Sequence, residues 1–189
     1  MSGSGDPAAG GYTLTASIGL AAPPAGVVPW LVTPDLMDRW MVGVDGIVVL
    51  DKADDEAAAV GDRIRVIASV GGKAGWLFEG TLATLGPERV VRAYTLIELS
   101  SGGVPLEADT TGYTRTVTYD LTTDAPGTQL SCTVVTVIPG LAEAAAGPAA
   151  AKEQKTLQRS LERLEAEVAG RQRGLIGRFR DAGQVPAPL

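Results

Sequence analysis

"TPDLMDRWMVGVDGIVVLDK", residues 33–52, decides the fold. Leu36, Met37 and Trp40 have the spacing of one edge of a helix. Gly43-Val44-Asp45-Gly46 breaks that pattern. Ile47, Val48, Val49 and Leu50 then read as a β-branched strand. A short helix therefore feeds, through a glycine-rich bend, directly into a strand. Thr33 is placed to cap the helix, predicted over 35–40. Upstream, residues 25–32 read as another short helix, with Pro29 near its first turn, where a missing N–H costs little.

Outward from this stretch the chain is mostly strand. Before the helices, "YTLTASIGL" (12–20) alternates Tyr12, Leu14, Ala16, Ile18 and Leu20 on one face. After them come strands predicted at 44–51, 63–70, 76–85, 90–99, 113–121 and 128–138. Gly71-Gly72 is a two-residue hairpin signal. The connections are short except for 100–111, so the strands are expected to form one antiparallel meander. "PGLAEAAAGPAAA" (139–151) is a low-complexity lead-in. The clearest helix follows at about 150–169, with Leu157, Leu161, Leu164 and Val168 on one stripe, and Gly170 as its stop.

The totals exclude much chemistry. The chain has 189 residues, enough for one ordinary domain with tails. It has 22 acidic against 16 basic residues, which argues against nucleic acid as a partner. It has no histidine, which removes His-based acid–base and nucleophilic catalysis and the usual transition-metal sites. Its one cysteine, Cys132, reads as a small strand hydrophobe. "DKADDE" (51–56) lacks the spacing of a calcium loop and "GTLATLG" lacks that of a phosphate loop, so no metal and no cofactor is expected. The first residues have no signal-peptide pattern and no apolar run is long enough to span a bilayer, so a cytoplasmic location is expected.

The order of strand, two short helices, six strands and one long helix resembles the helix-grip fold of the START-like, or SRPBCC, superfamily of polyketide cyclase/dehydrase and lipid transport proteins. "TPDLMDRW" (33–40) resembles its second-helix segment, and "VGVDGIVVLD" (42–51) its entry into the second strand. "VGDRIRV" (60–66), "GPERVV" (86–91) and "YDLTTDAPGTQL" (119–130) resemble its later strand approaches, and "LQRSLERLEAEV" (157–168) its closing helix. The likeness covers residues 12–169. It implies an α+β chain: a seven-stranded curved antiparallel sheet wrapped on a long C-terminal helix, with two short helices after the first strand. Residues 1–10 would be a disordered tail, 11–170 the domain, and 171–189 a basic, flexible tail.

Such a sheet does not collapse fully onto one helix, and an apolar cavity is expected between them. The expected ligand is a hydrophobic small molecule: a lipid, polyketide, quinone or similar. Candidate ligand-binding residues are Trp40, Glu79, Tyr94, Glu98, Tyr113, Arg115, Tyr119, Leu161 and Leu164. Trp40 is expected chiefly to plug the junction where the chain leaves the short helices and enters the sheet. Tyr94 and Glu98 are read on one strand face with Arg92, and Tyr113, Arg115 and Tyr119 on another. Which face points inward stays open at this point. Three functions remain: a carrier; a cyclase or dehydratase using Arg115, Tyr119 and a carboxylate; and an accessory module recruited to a membrane surface or protein through residues 171–180.

Overall fold

A computed structural model describes residues 10–182, apart from 54, 55, 71–73, 102, 103, 108 and 126, and without the side chains of 70, 74, 143 and 172–182. The elements run β1 (Gly11–Leu20), α1 (Pro24–Val32), α2 (Pro34–Trp40), β2 (Val44–Val49), β3 (Arg63–Val70), β4 (Ala74–Leu85), β5 (Arg89–Ser101), β6 (Val104–Pro105), β7 (Thr114–Asp124), β8 (Gly127–Val137) and α3 (Glu143–Ala182). The sheet order is β1-β8-β7-β5-β4-β3-β2, all antiparallel. These seven strands match the expected sheet. The two-residue β6, inside the predicted 100–111 loop, adds to β5 alone. The expected turn at Gly71-Gly72 lies outside the described residues.

The helix-to-strand switch at 40–44 has a local cause. α2 ends at Trp40 with Met41 already extended. Gly43 then takes φ +81°, a left-handed conformation that side chains disfavour. Its carbonyl accepts from Ser69 N–H at 3.0 Å, fixing β2 beside β3. The adjoining link is tied to α3 by Val42 N–H, which donates to Ser160 Oγ at 3.0 Å.

The core lies between the inner sheet face and the three helices. Leu14, Ala16 and Leu20 of β1, Ile64 and Val66 of β3, and Leu130, Cys132 and Val134 of β8 are buried there. Met37 and Trp40 of α2 and Leu161, Leu164 and Val168 of α3 close it from the other side.

α3 is longer than the sequence pattern indicated. It begins at Glu143, because the alanine-rich lead-in carries the strongest intrinsic helix former. It also runs through Gly170 to Ala182. Each of Gly170, Gly174 and Gly177 costs about 1 kcal/mol against alanine, yet the helix continues through all three. The membrane or protein contact expected of 171–180 falls almost wholly on side chains outside the described residues. Among the described residues, no helix is long and apolar enough to cross a membrane.

Candidate functional site

The strand register decides which polar side chains meet. Tyr12 of β1 stands opposite Thr136 of β8, Thr136 opposite Arg115 of β7, Arg115 opposite Tyr94 of β5, and Tyr94 opposite Gly80 of β4. Opposed residues share a face, so this row crosses the inner side of five strands. The same face returns every second residue along β7 and β8, bringing first Val117 and Val134 and then Tyr119 and Cys132 opposite one another.

A cavity of about 440 Å³ opens over this row. Its floor holds Trp40, Tyr94, Tyr119 and Cys132, and its mouth lies between α3 and the Gly43–Val44 and Ala68–Ser69 ends of β2 and β3. The chain has only nine aromatic residues. Seven of them line this cavity: Tyr12, Trp40, Trp76, Phe78, Tyr94, Tyr113 and Tyr119. Trp76 stacks on Phe78 with centroids 6.0 Å apart, and Tyr113 meets both at 5.8 and 5.9 Å.

Glu153, on the first half of α3, bridges the mouth. The Tyr12 hydroxyl donates to its Oε2 at 2.5 Å, and Arg115 Nη2 lies 2.5 Å from its Oε1. The Arg115 guanidinium also sits over the Phe78 ring, 5.4 Å from the centroid. Among the described residues, Tyr113 Oη and Arg115 Nε are buried here without a hydrogen-bond partner, as is Thr136 Oγ1 in the same strand row but outside the cavity lining.

The side chains lining the floor are uncharged, with the buried Arg92 guanidinium near enough to oppose part of the rise in Tyr94 and Tyr119. Burial pushes the Tyr94 and Tyr119 phenols above their usual range, and the Cys132 thiol up to about 12. That thiol is protonated at neutral pH and is no nucleophile. Burial also raises Tyr113, opposed by Arg115, and raises Tyr12 together with its bond to Glu153. Among the described residues no group of His, Cys, Asp and Glu is placed to hold a metal.

Of the residues the sequence singled out, Trp40, Tyr94, Tyr113, Arg115 and Tyr119 meet in the cavity wall. Leu161 and Leu164 are fully buried in the core beneath it and do not line it. Glu79 and Glu98 are corrections. Glu79 is on the outer face, bound to Arg65 at 2.5 Å and Arg63 at 2.8 Å. Those two cations hold its carboxyl below the usual range. Simple alternation predicts Glu98 on the face of Tyr94 and Leu96. A β-bulge at Ile97 reverses the alternation, because Phe78 pairs with Leu96 while Leu77 pairs with Glu98. Glu98 therefore faces outward and Leu99, opposite Trp76, faces inward.

Tyr12, Trp76, Phe78 and Glu153 line the site as well, beyond the residues that the sequence singles out. Trp76 and Phe78 carried a signal, two aromatics at period two in "WLFEG". Glu153 carried another: it extends the apolar stripe of Leu157, Leu161 and Leu164 by one turn as a lone acid.

Gly80 gives the floor its shape. A Cβ there would sit 2.4 and 2.5 Å from Tyr94 Cε1 and Cδ1, so the Tyr94 ring lies flat on the glycine. Gly80→Ala is expected to lower unfolding free energy by about 1–3 kcal/mol through overpacking. In urea titrations, the same change made on Tyr94→Ala should cost less by at least about 0.5 kcal/mol. Strict additivity would show that the ring does not rest there.

Comparison with known proteins agrees with this geometry. No curated protein matches the chain in sequence. Protein CV1439 from Chromobacterium violaceum matches the structure over 82% of this chain and 96% of its own, at 20% identity and TM-score 0.58. Ara h 8.0201 matches over 85% and 99%, at 14% identity and TM-score 0.56. DynU16, from the dynemicin biosynthetic locus, matches over 83% of this chain and 47% of its own, at 17% identity and TM-score 0.53. At these identities the likeness is one of fold. The family described as polyketide cyclase / dehydrase and lipid transport matches residues 12–169 in sequence. Helix-grip topology and that match, which spans nearly the whole described chain, agree: the protein is a member of the polyketide cyclase / dehydrase and lipid transport family.

Proposed function

We infer that the protein binds a hydrophobic small molecule in the cavity between its curved sheet and α3, and carries it without transforming it. The observation that supports this reading is the gathering of seven of the nine aromatic side chains around about 440 Å³ of open interior. Packed interiors seldom leave gaps much larger than a water molecule, and small-molecule sites span about 300–1,000 Å³ with mainly apolar walls. Aromatic walls offer large contact area at low entropic cost. The alternative of a cyclase or dehydratase acting through Arg115 and Tyr119 draws on a carboxylate facing the substrate. Among the described residues Glu153 is the one carboxylate in the wall, and it is held by Tyr12 and Arg115.

Native mass spectrometry of freshly purified protein, followed by solvent extraction, tests this. The expected result is a discrete bound hydrophobic mass. Adding that compound in excess should raise the melting temperature by about 5 °C or more. A ligand-free mass, together with no thermal shift from a panel of lipids, quinones and polyketides, would sink the reading.

A further inference from the structure

Charge is unevenly placed around the cavity. The whole chain carries a net −6. The cavity wall carries two cations, Arg115 and Lys152, against one anion, Glu153. Lys152 is exposed at the mouth and has no carboxylate partner among the described residues. The mouth is also rich in donors. Tyr12 Oη and Arg115 Nη2 share the single Glu153 carboxylate, while Tyr113 Oη and Arg115 Nε, also of the cavity wall, are buried without a hydrogen-bond partner among the described residues. Buried donors without acceptors are uncommon in folded proteins. A second acceptor, and an anionic one, is what this cluster of groups best accommodates.

The floor lining itself offers an anion no charged partner: the buried Arg92 beneath it donates to the Val32 carbonyl and does not line the cavity. Tyr94, Tyr119 and Cys132 are buried there, and the setting that keeps them protonated would equally disfavour a carboxylate. The mouth is different, because the Arg115 and Glu153 side chains each keep 22% of their surface exposed. A bound molecule thus has one polar end available, at Arg115, and an aromatic-walled interior for the rest.

Resting on the reading of this cavity as a ligand site, we propose that its ligand is an apolar acid whose anionic end binds Arg115 at the cavity mouth, in competition with Glu153. Glu153 is then an internal stand-in for the ligand's own carboxylate. Its displacement would untie α3 from Tyr12 of β1 and from Arg115 of β7 in one event, coupling entry of the acid to loosening of the mouth.

The test uses the full chain and three probes with one apolar body: naphthylacetic acid, naphthylacetamide and naphthylethylamine, titrated calorimetrically at neutral pH. The acid is expected to bind at least about tenfold tighter than the amide, the size of one charge-assisted hydrogen bond. The amine should bind weakest. Arg115→Gln should bring the acid down to the amide's affinity. Glu153→Gln removes the competing anion and should tighten acid binding further while leaving the amide nearly unchanged. Glu79→Gln, on the outer face, should alter neither. Equal binding of acid and amide, tightest binding of the amine, or weaker acid binding to Glu153→Gln would overturn the inference while leaving the ligand site standing. Binding of none of the three would overturn it as well, and with an empty native mass spectrum the site reading would fall too. Should Arg115→Gln not fold, the wild-type series and Glu153→Gln decide the matter.

Discussion

Above pH 10 the four tyrosines are expected to stay protonated in the folded protein and to ionise together as it unfolds. All four line the cavity, and all four phenols are raised above the ordinary value of 10.0, burial being the largest cause in each. A phenol becomes charged on losing its proton, so the unfolded chain releases these protons first. The stability they supply is whole below their unfolded value and drains away as pH rises beyond it. Cys132 acts in the same direction from its ordinary 9.0 up to about 12. Tyr94 and Tyr119, both buried, together reduce stability by about 3 kcal/mol for each pH unit above their unfolded values. A typical domain has about 5–15 kcal/mol in hand, so cooperative alkaline unfolding should follow within a few pH units. Tyrosinate absorbance and far-UV circular dichroism followed in one titration would read it. Phenols ionising near their ordinary value with the dichroism intact would mean that water reaches the cavity floor freely.

Replacing Trp40 by alanine is expected to cost about 3–5 kcal/mol of unfolding free energy, the range for removing a large buried aromatic. Trp40 closes α2, keeps 1% of its surface exposed and supplies part of the cavity floor. Its Nε1–H donates to the Trp30 carbonyl of α1 at 2.8 Å, and its ring meets Tyr119 edge-on at 6.3 Å. One side chain therefore joins both short helices to β7. Trp40→Phe keeps most of the volume and loses the hydrogen bond, so it should cost about 1–3 kcal/mol, much of it from the orphaned Trp30 carbonyl. Urea unfolding read by circular dichroism separates the two variants. A Trp40→Ala cost below about 1 kcal/mol, inside the range of ordinary surface changes, would remove Trp40 from its place as the joint.

The architecture was legible in the sequence because it depends on periodicity. Alternation in "YTLTASIGL" and "YTRTVTYDL" placed Leu14, Ala16, Val117 and Tyr119 on single faces, and the structure buries those faces. The helical stripe through Leu161, Leu164 and Val168 was legible for the same reason. The site was legible only in part, because a binary pattern says which residues share a face and not which way the face points. Arg115 and Glu79 both lie on alternating strands and end on opposite sides of one sheet. The bulge at Ile97 adds a second kind of failure. One extra residue moves Glu98 across the sheet, and nothing in "YTLIELS" marks that insertion. Glu153 joins Tyr12 and Arg115 through tertiary contact alone, between elements far apart in the chain.

The place of β1 in the sheet has a consequence for synthesis. As the chain leaves the ribosome, β1 emerges before the other strands of the sheet, yet among the described residues its one sheet partner is β8. Leu20 must wait for Thr128, and Gly11 for Val137. In the interval the nascent chain displays ten residues with no charge and with a full set of unpaired peptide groups. β8 closes one side, and α3 later covers part of the other, where Gln154 donates to the Thr15 carbonyl. Closure of the sheet is thus a late, long-loop event, of the kind that slows folding. A pause in translation before residue 137 would hold the protein at its most aggregation-prone stage, with its first strand made and its partner still unmade.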